Sequence, residues 1–212
     1  MLPGQIILLN GTSSAGKSTI AKQLQAILPQ PYLHTGLDHF LLAAPRHLYV
    51  YTDSDTAAST PGWLLPFHAG ALIAAPQLGA VAYQLLDGMY AAFATLATNG
   101  INLIVDDVIY DPQVLVAAVE RLAGLPVLFV GLHCPVDEAK RRELARGDRA
   151  PGGAAIFHDL VHRHALYDLE LDTAQCTPAA CAERIKSALL DQHPQCAFAQ
   201  LRDWLSLQHG ER

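Results

Sequence analysis

Read for the spacing of its apolar residues, the chain separates into short runs of strand length and longer stretches with a helical period. Gln5-Ile6-Ile7-Leu8-Leu9-Asn10 is the first strand-length run. Residues 18–28 follow with apolar positions at 20, 21, 24, 27 and 28, until Pro29 stops the helix. Residues 32–38 predict a second short strand ending in a carboxylate, with a helix starting at His39 that Asp38 would cap. From 43 to 75 the pattern is irregular, broken by Pro45, Pro61 and Pro66, yet it carries Tyr49, Tyr51, Trp63, Phe67 and His68. Loops of that length are usually functional or disordered, and aromatics that need something to pack on argue against disorder. Two readings stand: a binding insertion, or a loop covering one sheet edge. Residues 77–98 predict one long helix with Leu78, Val81, Leu85, Met89, Phe93 and Leu96 on its stripe, closed by Asn99-Gly100.

The second half continues the alternation. Residues 101–108 predict a buried strand ending in Asp106 and Asp107, followed by a helix over 112–122 and a strand over 125–133. A helix from Val136 breaks at Gly147-Asp148, and another spans 154–164. Residues 167–173 alternate apolar and acidic positions as a strand, and Thr177-Pro178 opens a helix that runs to Leu190. Residues 192–212 predict a short amphipathic helix with Phe198, Leu201, Trp204, Leu205 and Leu207, packed on the body or on a partner subunit.

Between the first run and the first helix lies Gly11-Thr12-Ser13-Ser14-Ala15-Gly16-Lys17-Ser18-Thr19, which contains G-x-x-x-x-G-K-[ST]. The order strand, glycine loop, helix is what turns that string into a phosphate-binding P-loop. The glycines let the backbone curl so that successive N–H groups point inward at a helix N-terminus, forming an anion nest. Lys17 adds a mobile positive charge over the β- and γ-phosphates, and the Ser18 hydroxyl is placed to ligate Mg²⁺. The loop therefore predicts a bound nucleoside triphosphate. In a parallel α/β sheet ligands gather outside the carboxyl ends of the strands, which puts Asp38 on the same rim. The strand ending at Asp106-Asp107 is Walker-B-like; alternation lets only one of the two face the metal, and the sequence leaves open which.

Composition narrows the class. A chain of 212 residues suffices for one sizeable core and a small appendage, and 51% hydrophobic with 16% charged residues marks a globular protein. The net charge of −6, without any basic run, gives no reason to expect nucleic acid as partner. No signal peptide is legible. The Ala-rich residues 69–97 are interrupted by Pro76, Gln77, Gln84 and Asp87, so no membrane span is expected. Cys134, Cys176, Cys181 and Cys196 lack C-x-x-C spacing, which suits reduced thiols and a cytoplasmic protein, although Cys176 and Cys181 can pair under oxidation. His158 and His162 stand i,i+4 beside Asp159, but no third ligand with zinc spacing accompanies them.

Against such sparing use of charge, Arg141, Arg142, Arg146 and Arg149 fall within nine residues. A Glu138–Arg142 surface pair and a solvated helix face account for Lys140 and at least one of Arg141 and Arg142. Arg146 and Arg149 bracket the break at Gly147-Asp148, and a hinged segment carrying arginines is what a phosphate-clamping lid requires.

Several pieces together resemble the chloramphenicol phosphotransferase-like P-loop kinases. They are Leu9 to Ser18, Gly36-Leu37-Asp38, Ile104-Val105-Asp106-Asp107-Val108, Arg142-Glu143-Leu144-Ala145-Arg146-Gly147-Asp148-Arg149 and Tyr167-Asp168-Leu169-Glu170-Leu171-Asp172-Thr173. Order and spacing hold from residue 5 to about 190, and the last two blocks are far more specific than the P-loop. The resemblance implies a three-layer α/β P-loop nucleotide-kinase fold with a five-stranded parallel sheet and a helical lid. Residues 1–192 would form the kinase domain, with 43–76 as acceptor-side insertion and 135–166 as lid region. Residues 193–212 would be a C-terminal helical extension without family counterpart.

The activity implied is ATP-dependent transfer of the γ-phosphate to a primary hydroxyl of chloramphenicol, and with it antibiotic resistance. Asp38 takes the position of the catalytic base, Lys17 and residues 12–18 hold the phosphates, and Arg146 and Arg149 match the lid arginines. Ser18 with Asp106 or Asp107 would hold Mg²⁺. The insertion does not look like the family's drug-contacting region, so the acceptor stays open among chloramphenicol, another hydroxylated antibiotic and an ordinary metabolite. Zeta-toxin-like kinases share the P-loop and strand-end Asp but not the arginine block. A non-catalytic ATP-binding regulatory protein is the rival of another class; Asp38 argues against it, because a pure nucleotide switch has no use for a base aimed at an acceptor. Homo-oligomerisation is open.

Overall fold

A computed structural model describes residues 2–53, 60–148, 150–163, 166–191 and 195–209, the last four by backbone alone. In chain order they form β1 (Ile6–Asn10), α1 (Lys17–Ile27), β2 (Tyr32–Gly36), α2 (Leu37–Ala43), β3 (Tyr49–Thr52), β4 (Trp63–His68), β5 (Ala71–Leu72), β6 (Gln77–Leu78) and α3 (Ala80–Thr98). The second half adds β7 (Asn102–Asp107), α4 (Pro112–Arg121), β8 (Val127–His133), α5 (Val136–Arg146), α6 (Gly153–His158), β9 (Leu169–Asp172), α7 (Pro178–Leu190) and α8 (Ala197–His209). Five strands make one parallel sheet in the order β2-β7-β1-β8-β9.

Side-chain alternation assigns the two faces of that sheet. Ile6, Leu8, Leu103, Val105, Val127 and Phe129 face a layer containing α3 and α4. Ile7, Leu9, Ile104, Leu128 and Val130 face α1 and α7. Such near-continuous apolar strands are what a sheet covered on both faces requires. β1 is buried at all five positions, and each buried Ile or Leu contributes about 1.5–3 kcal/mol relative to exposure. The rigid centre of the sheet therefore lies directly beneath the P-loop, which leaves β1 at its carboxyl end.

The described part of the 43–75 stretch is not irregular. It holds a second, small sheet in which β4 pairs with β3 in parallel and with β5 and β6 antiparallel. The Tyr49 and Trp63 rings, opposite each other in register, stack at 5.1 Å, a cross-strand aromatic pair that holds β3 to β4. The β4–β5 turn is Ala69-Gly70, both at positive φ, as a two-residue type I′ hairpin demands. Prolines concealed the strands: Pro66 lacks an N–H, yet its carbonyl still accepts from the Ile73 amide at 2.9 Å.

Other boundaries move as well. The long helix begins at Ala80, because Gln77 and Leu78 are taken by β6. Its buried face is Ala82, Leu86, Met89, Tyr90, Phe93 and Ala97, and Leu85 from the predicted stripe is 38% exposed. β2 stops at Gly36, which caps α2, so Asp38 sits inside the first helical turn and does not cap it. The predicted 154–164 helix is shorter, ending at His158, with residue 164 outside the described set. The terminal helix packs on the body: Phe198 meets Phe129 at 5.1 Å, and the Cys196 and Ala197 amides donate to Asp168 at 2.8 Å. All four cysteines are free, and among the described residues no helix is long and apolar enough to cross a membrane.

Candidate active site

The P-loop is a turn of unusual backbone. Ser14 (φ 61) and Gly16 (φ 97) lie in the left-handed region, so the chain curls before Lys17 opens α1. Lys17 is buried and its Nζ donates to the Gly11 and Thr12 carbonyls at 3.0 and 2.9 Å. Thr12 is buried too, its hydroxyl donating to the Ala154 carbonyl of α6 at 2.9 Å. Beneath the loop, Asn10 accepts from the Ile109 amide and donates to Val161 and Tyr167, which ties the end of β1 to the segment after β7 and to the segment between α6 and β9.

Parity along β7 separates the two candidate metal carboxylates. Asp106 shares the face of Ile104, toward α1, and accepts from the Ser18 hydroxyl at 2.5 Å with Lys17 Nζ 4.0 Å away. Asp107 shares the face of Val105, toward α3, and accepts from Tyr90 at 2.5 Å and from the Val108 amide at 2.7 Å. Burial raises the Asp106 pKa, but hydrogen bonds from His34 and Ser18 and the charges of Lys17 and His34 outweigh it and hold the carboxyl below its usual range. Burial pushes Asp107 up to about 6 against its hydrogen bonds from Tyr90 and Val108. Only Asp106 therefore belongs to the P-loop side, and Asp107, expected there as an alternative, does not. A hydroxyl and a carboxylate in contact are hard oxygen donors that fit Mg²⁺, which usually takes one or two protein ligands and completes its shell with water and phosphate. Among the described residues no group of three His, Cys, Asp or Glu gathers as a cage. His158 and His162 do not converge either: His158 pairs with Asp159 and His162 with Tyr167.

Asp38 is brought to this rim by a close approach. A Cβ on Gly36 would lie 2.0 Å from the Asp106 carbonyl, so glycine lets β2 close on β7 and delivers α2's first turn beside the P-loop. The result is a cavity of about 350 Å³ lined by Ser13, Ser14, Gly16, Lys17, Ser18, Thr19, Asp38, Asp106 and Arg146, all expected, and by Lys22, Leu37, Val108 and Arg142, which were not. Gly11, Thr12 and Ala15 shape the loop from behind. Arg149 lies outside the described residues.

Arg142 is the residue that sequence reasoning passed over. The sequence leaves open which of Arg141 and Arg142 belongs to the solvated face, since Glu138 stands four residues before Arg142, and that pair exists at 2.8 Å. The same guanidinium also donates to the Thr173 hydroxyl and carbonyl at 3.2 and 2.8 Å. The helix of the arginine block is thereby pinned to the end of the Tyr167–Thr173 block. The membership of Arg142 in the arginine block that carries the family resemblance was the available signal. Arg141, by contrast, is exposed and among the described residues is bound only to Glu138. Glu143 is buried and accepts from the Gly152 and Ala154 amides at 2.9 Å each, joining α5 to α6.

A second cavity of about 440 Å³ opens beside the first, walled by Tyr49, Tyr51, Trp63, Phe67, Tyr110 and Phe157 among others. Ser13, Leu37, Asp38 and Val108 line both. Asp107 faces this second cavity.

Fold and P-loop site together define a P-loop phosphotransferase of the kinase type. The family model described as chloramphenicol phosphotransferase-like protein matches residues 4–190, and the chain belongs to that family. It is 36% identical over 215 residues to proteins from two Mycobacterium tuberculosis strains that are named for an inferred O-phosphotransferase activity. The match covers 95% of this chain and 89% of theirs. Among solved structures, M. tuberculosis APS kinase in complex with AMPPNP and APS superimposes with TM-score 0.56 at 18% identity, covering 89% of this chain and 99% of that one. Acinetobacter baumannii shikimate kinase in complex with shikimate gives 0.54 at 16%, covering 91% and 95%. At those identities the likeness is one of fold.

Proposed function

We propose that this protein transfers the γ-phosphate of ATP to a hydroxyl of a small molecule with an apolar, aromatic body, as a chloramphenicol-like antibiotic has. The observation that carries the reading is the meeting of two unlike cavities at Asp38. One has the backbone and cations for a triphosphate; the other has aromatic walls. Residues 43–76 are the acceptor-side insertion, since β3 and β4 supply four of the six named rings. Residues 135–166 are the lid region.

In this reading Asp38 takes the acceptor's hydroxyl proton as the oxygen attacks the γ-phosphorus and the bond to the bridging oxygen breaks, releasing ADP. Lys17 and the N–H groups of the loop hold the phosphates, and Arg142 and Arg146 neutralise charge on the transferring group, with Arg149 assigned the same role by its place in the motif. Ser18 and Asp106 would hold Mg²⁺, which would supply charge neutralisation on the triphosphate. The α5–α6 segment excludes water that would otherwise take the phosphate. Free cysteines suit a cytoplasmic site of action.

The test is a screen with γ-labelled ATP over chloramphenicol and hydroxylated metabolites, on the wild type and Asp38→Asn. With a competent acceptor the variant should lose about 10²–10⁴-fold in turnover while nucleotide affinity holds. Absence of labelled product from every acceptor would favour a regulatory nucleotide binder. Collapse of ATP binding in the variant would move Asp38 to the nucleotide side.

A further inference from the structure

Among the described residues, the charged side chains lining the second cavity are all of one sign. Asp38, Asp107, Asp111 and Glu143 line it, and among the described residues no Lys, Arg or His does. Asp107 is 1% exposed and Glu143 7%. Their hydrogen bonds come from neutral donors: Tyr90 hydroxyl and Val108 amide on Asp107, Gly152 and Ala154 amides on Glu143. Asp111 accepts from the Gln113 and Val114 amides and from the Tyr83 hydroxyl at 3.1 Å. Neutral donors satisfy lone pairs without cancelling charge. Among the described residues none of Asp107, Asp111 and Glu143 forms an ion pair.

Lys17 offsets part of the Asp107 charge, but Asp111 and Glu143, without an ion-pair partner among the described residues, project a negative potential from behind low-dielectric walls into the space they enclose. The walls add to it. Six aromatic rings present π faces and edges, and a desolvated cation over such a face is stabilised further. An anionic ligand meets the opposite field and, among the described residues, only neutral donors such as the Ser13 and Tyr51 hydroxyls to replace its hydration.

We infer that the acceptor carries a protonated amine on its apolar, aromatic body, so that the substrate class is an aryl amino alcohol with a free amine in place of the neutral, acylated nitrogen of chloramphenicol, and carboxylated or phosphorylated acceptors are rejected. The inference rests on the second cavity being the acceptor site. The aromatic rings hold the body, the carboxylates hold the ammonium, and the hydroxyl is left to point toward Asp38, where the cavities join.

The experiment uses three ligands with one aryl group and one primary alcohol: phenylalaninol (cationic), N-acetylphenylalaninol (neutral) and N-succinylphenylalaninol (anionic). Affinities are measured by calorimetry on the full chain with Mg²⁺ and a non-hydrolysable ATP analogue, and phosphoryl transfer is measured separately with labelled ATP. The amine should bind about tenfold more tightly than the acetamide, the anion should not bind, and added salt should narrow the gap. Asp111→Asn keeps a good helix cap but removes a charge, so the amine's advantage should shrink with no change in thermal midpoint. Glu143→Gln should shrink it as well. Equal or tighter binding of the acetamide or the anion overturns the inference, and so does failure of all three to bind. If the amine binds best but no ligand is phosphorylated, the charge preference stands and the transfer reaction falls. If all are phosphorylated without preference, the reverse holds.

Discussion

The two cavities that meet at Asp38 are built in opposite ways. The first takes six of its thirteen lining residues from the unbroken stretch Ser13 to Thr19, and its charged lining is mainly basic. The second draws on β3, β4, β5, β6, α2, α3, the turn after β7 and the α5–α6 segment, and its charged lining is wholly acidic among the described residues. Phosphate is bound by backbone N–H groups, which every residue supplies, so geometry must be encoded locally, in glycines and a short string. An apolar acceptor is bound by side chains, which any nearby element can contribute. One site is a motif and the other an assembly.

The largest effect that separates them should come from Lys17→Ala. Removing the only lysine among residues 1–21 takes away the cation buried under the loop, and phosphoryl transfer should fall on the order of 10³-fold or more. Calorimetry with acceptor alone should show affinity for the second cavity unchanged. Parallel loss of both affinities would mean that the cavities are one cooperative unit, and full activity would remove the P-loop from the mechanism.

That division also explains what was legible in the sequence. The five-stranded sheet was readable because its strands are apolar runs set between helices of period 3.6, and β1 with Gly11–Thr19 gave the nucleotide side directly. The small sheet was not, because Pro61, Pro66 and Pro76 read as breakers while the β4 pairing runs through Pro66's carbonyl. The α3 stripe is right at Met89 and Phe93 but one residue early elsewhere, since Ala82, Leu86 and Ala97 are buried more deeply than Val81, Leu85 and Leu96 by long-range packing that local spacing does not specify. Arg142 was hidden behind its i,i+4 partner. Its second bond, to Thr173, spans 31 residues and exists only in the fold.

A smaller, sharper effect concerns Asp106 and Asp107, neighbours in sequence that β7 turns to opposite cavities. Asp106→Asn should raise the Mg²⁺ concentration for half-maximal activity about 10–100-fold, the range typical of lost metal contacts. Asp107→Asn, which keeps an oxygen for Tyr90, should leave that concentration unchanged and alter acceptor KM. Equal shifts in Mg²⁺ dependence would show that parity along β7 does not decide their roles.

The finest probe is Tyr51→Ala. Trp63 would be a poor test of acceptor binding, because it is 5% exposed and stacked on Tyr49; truncation would cost about 3–5 kcal/mol of stability and unmake the small sheet. Tyr51 is 65% exposed, touches Phe67 edge-on at 5.3 Å and lines the second cavity from its rim. Little packing depends on it, so the thermal midpoint should barely move. What it does offer is an aromatic edge for the acceptor, and its loss should raise acceptor KM about three- to tenfold with kcat and nucleotide affinity unchanged. A change in kcat would mean that the rim ring orients the hydroxyl toward Asp38. Its contribution would then extend past holding the acceptor's apolar body, and the second cavity would share in the chemistry that the first was built to perform.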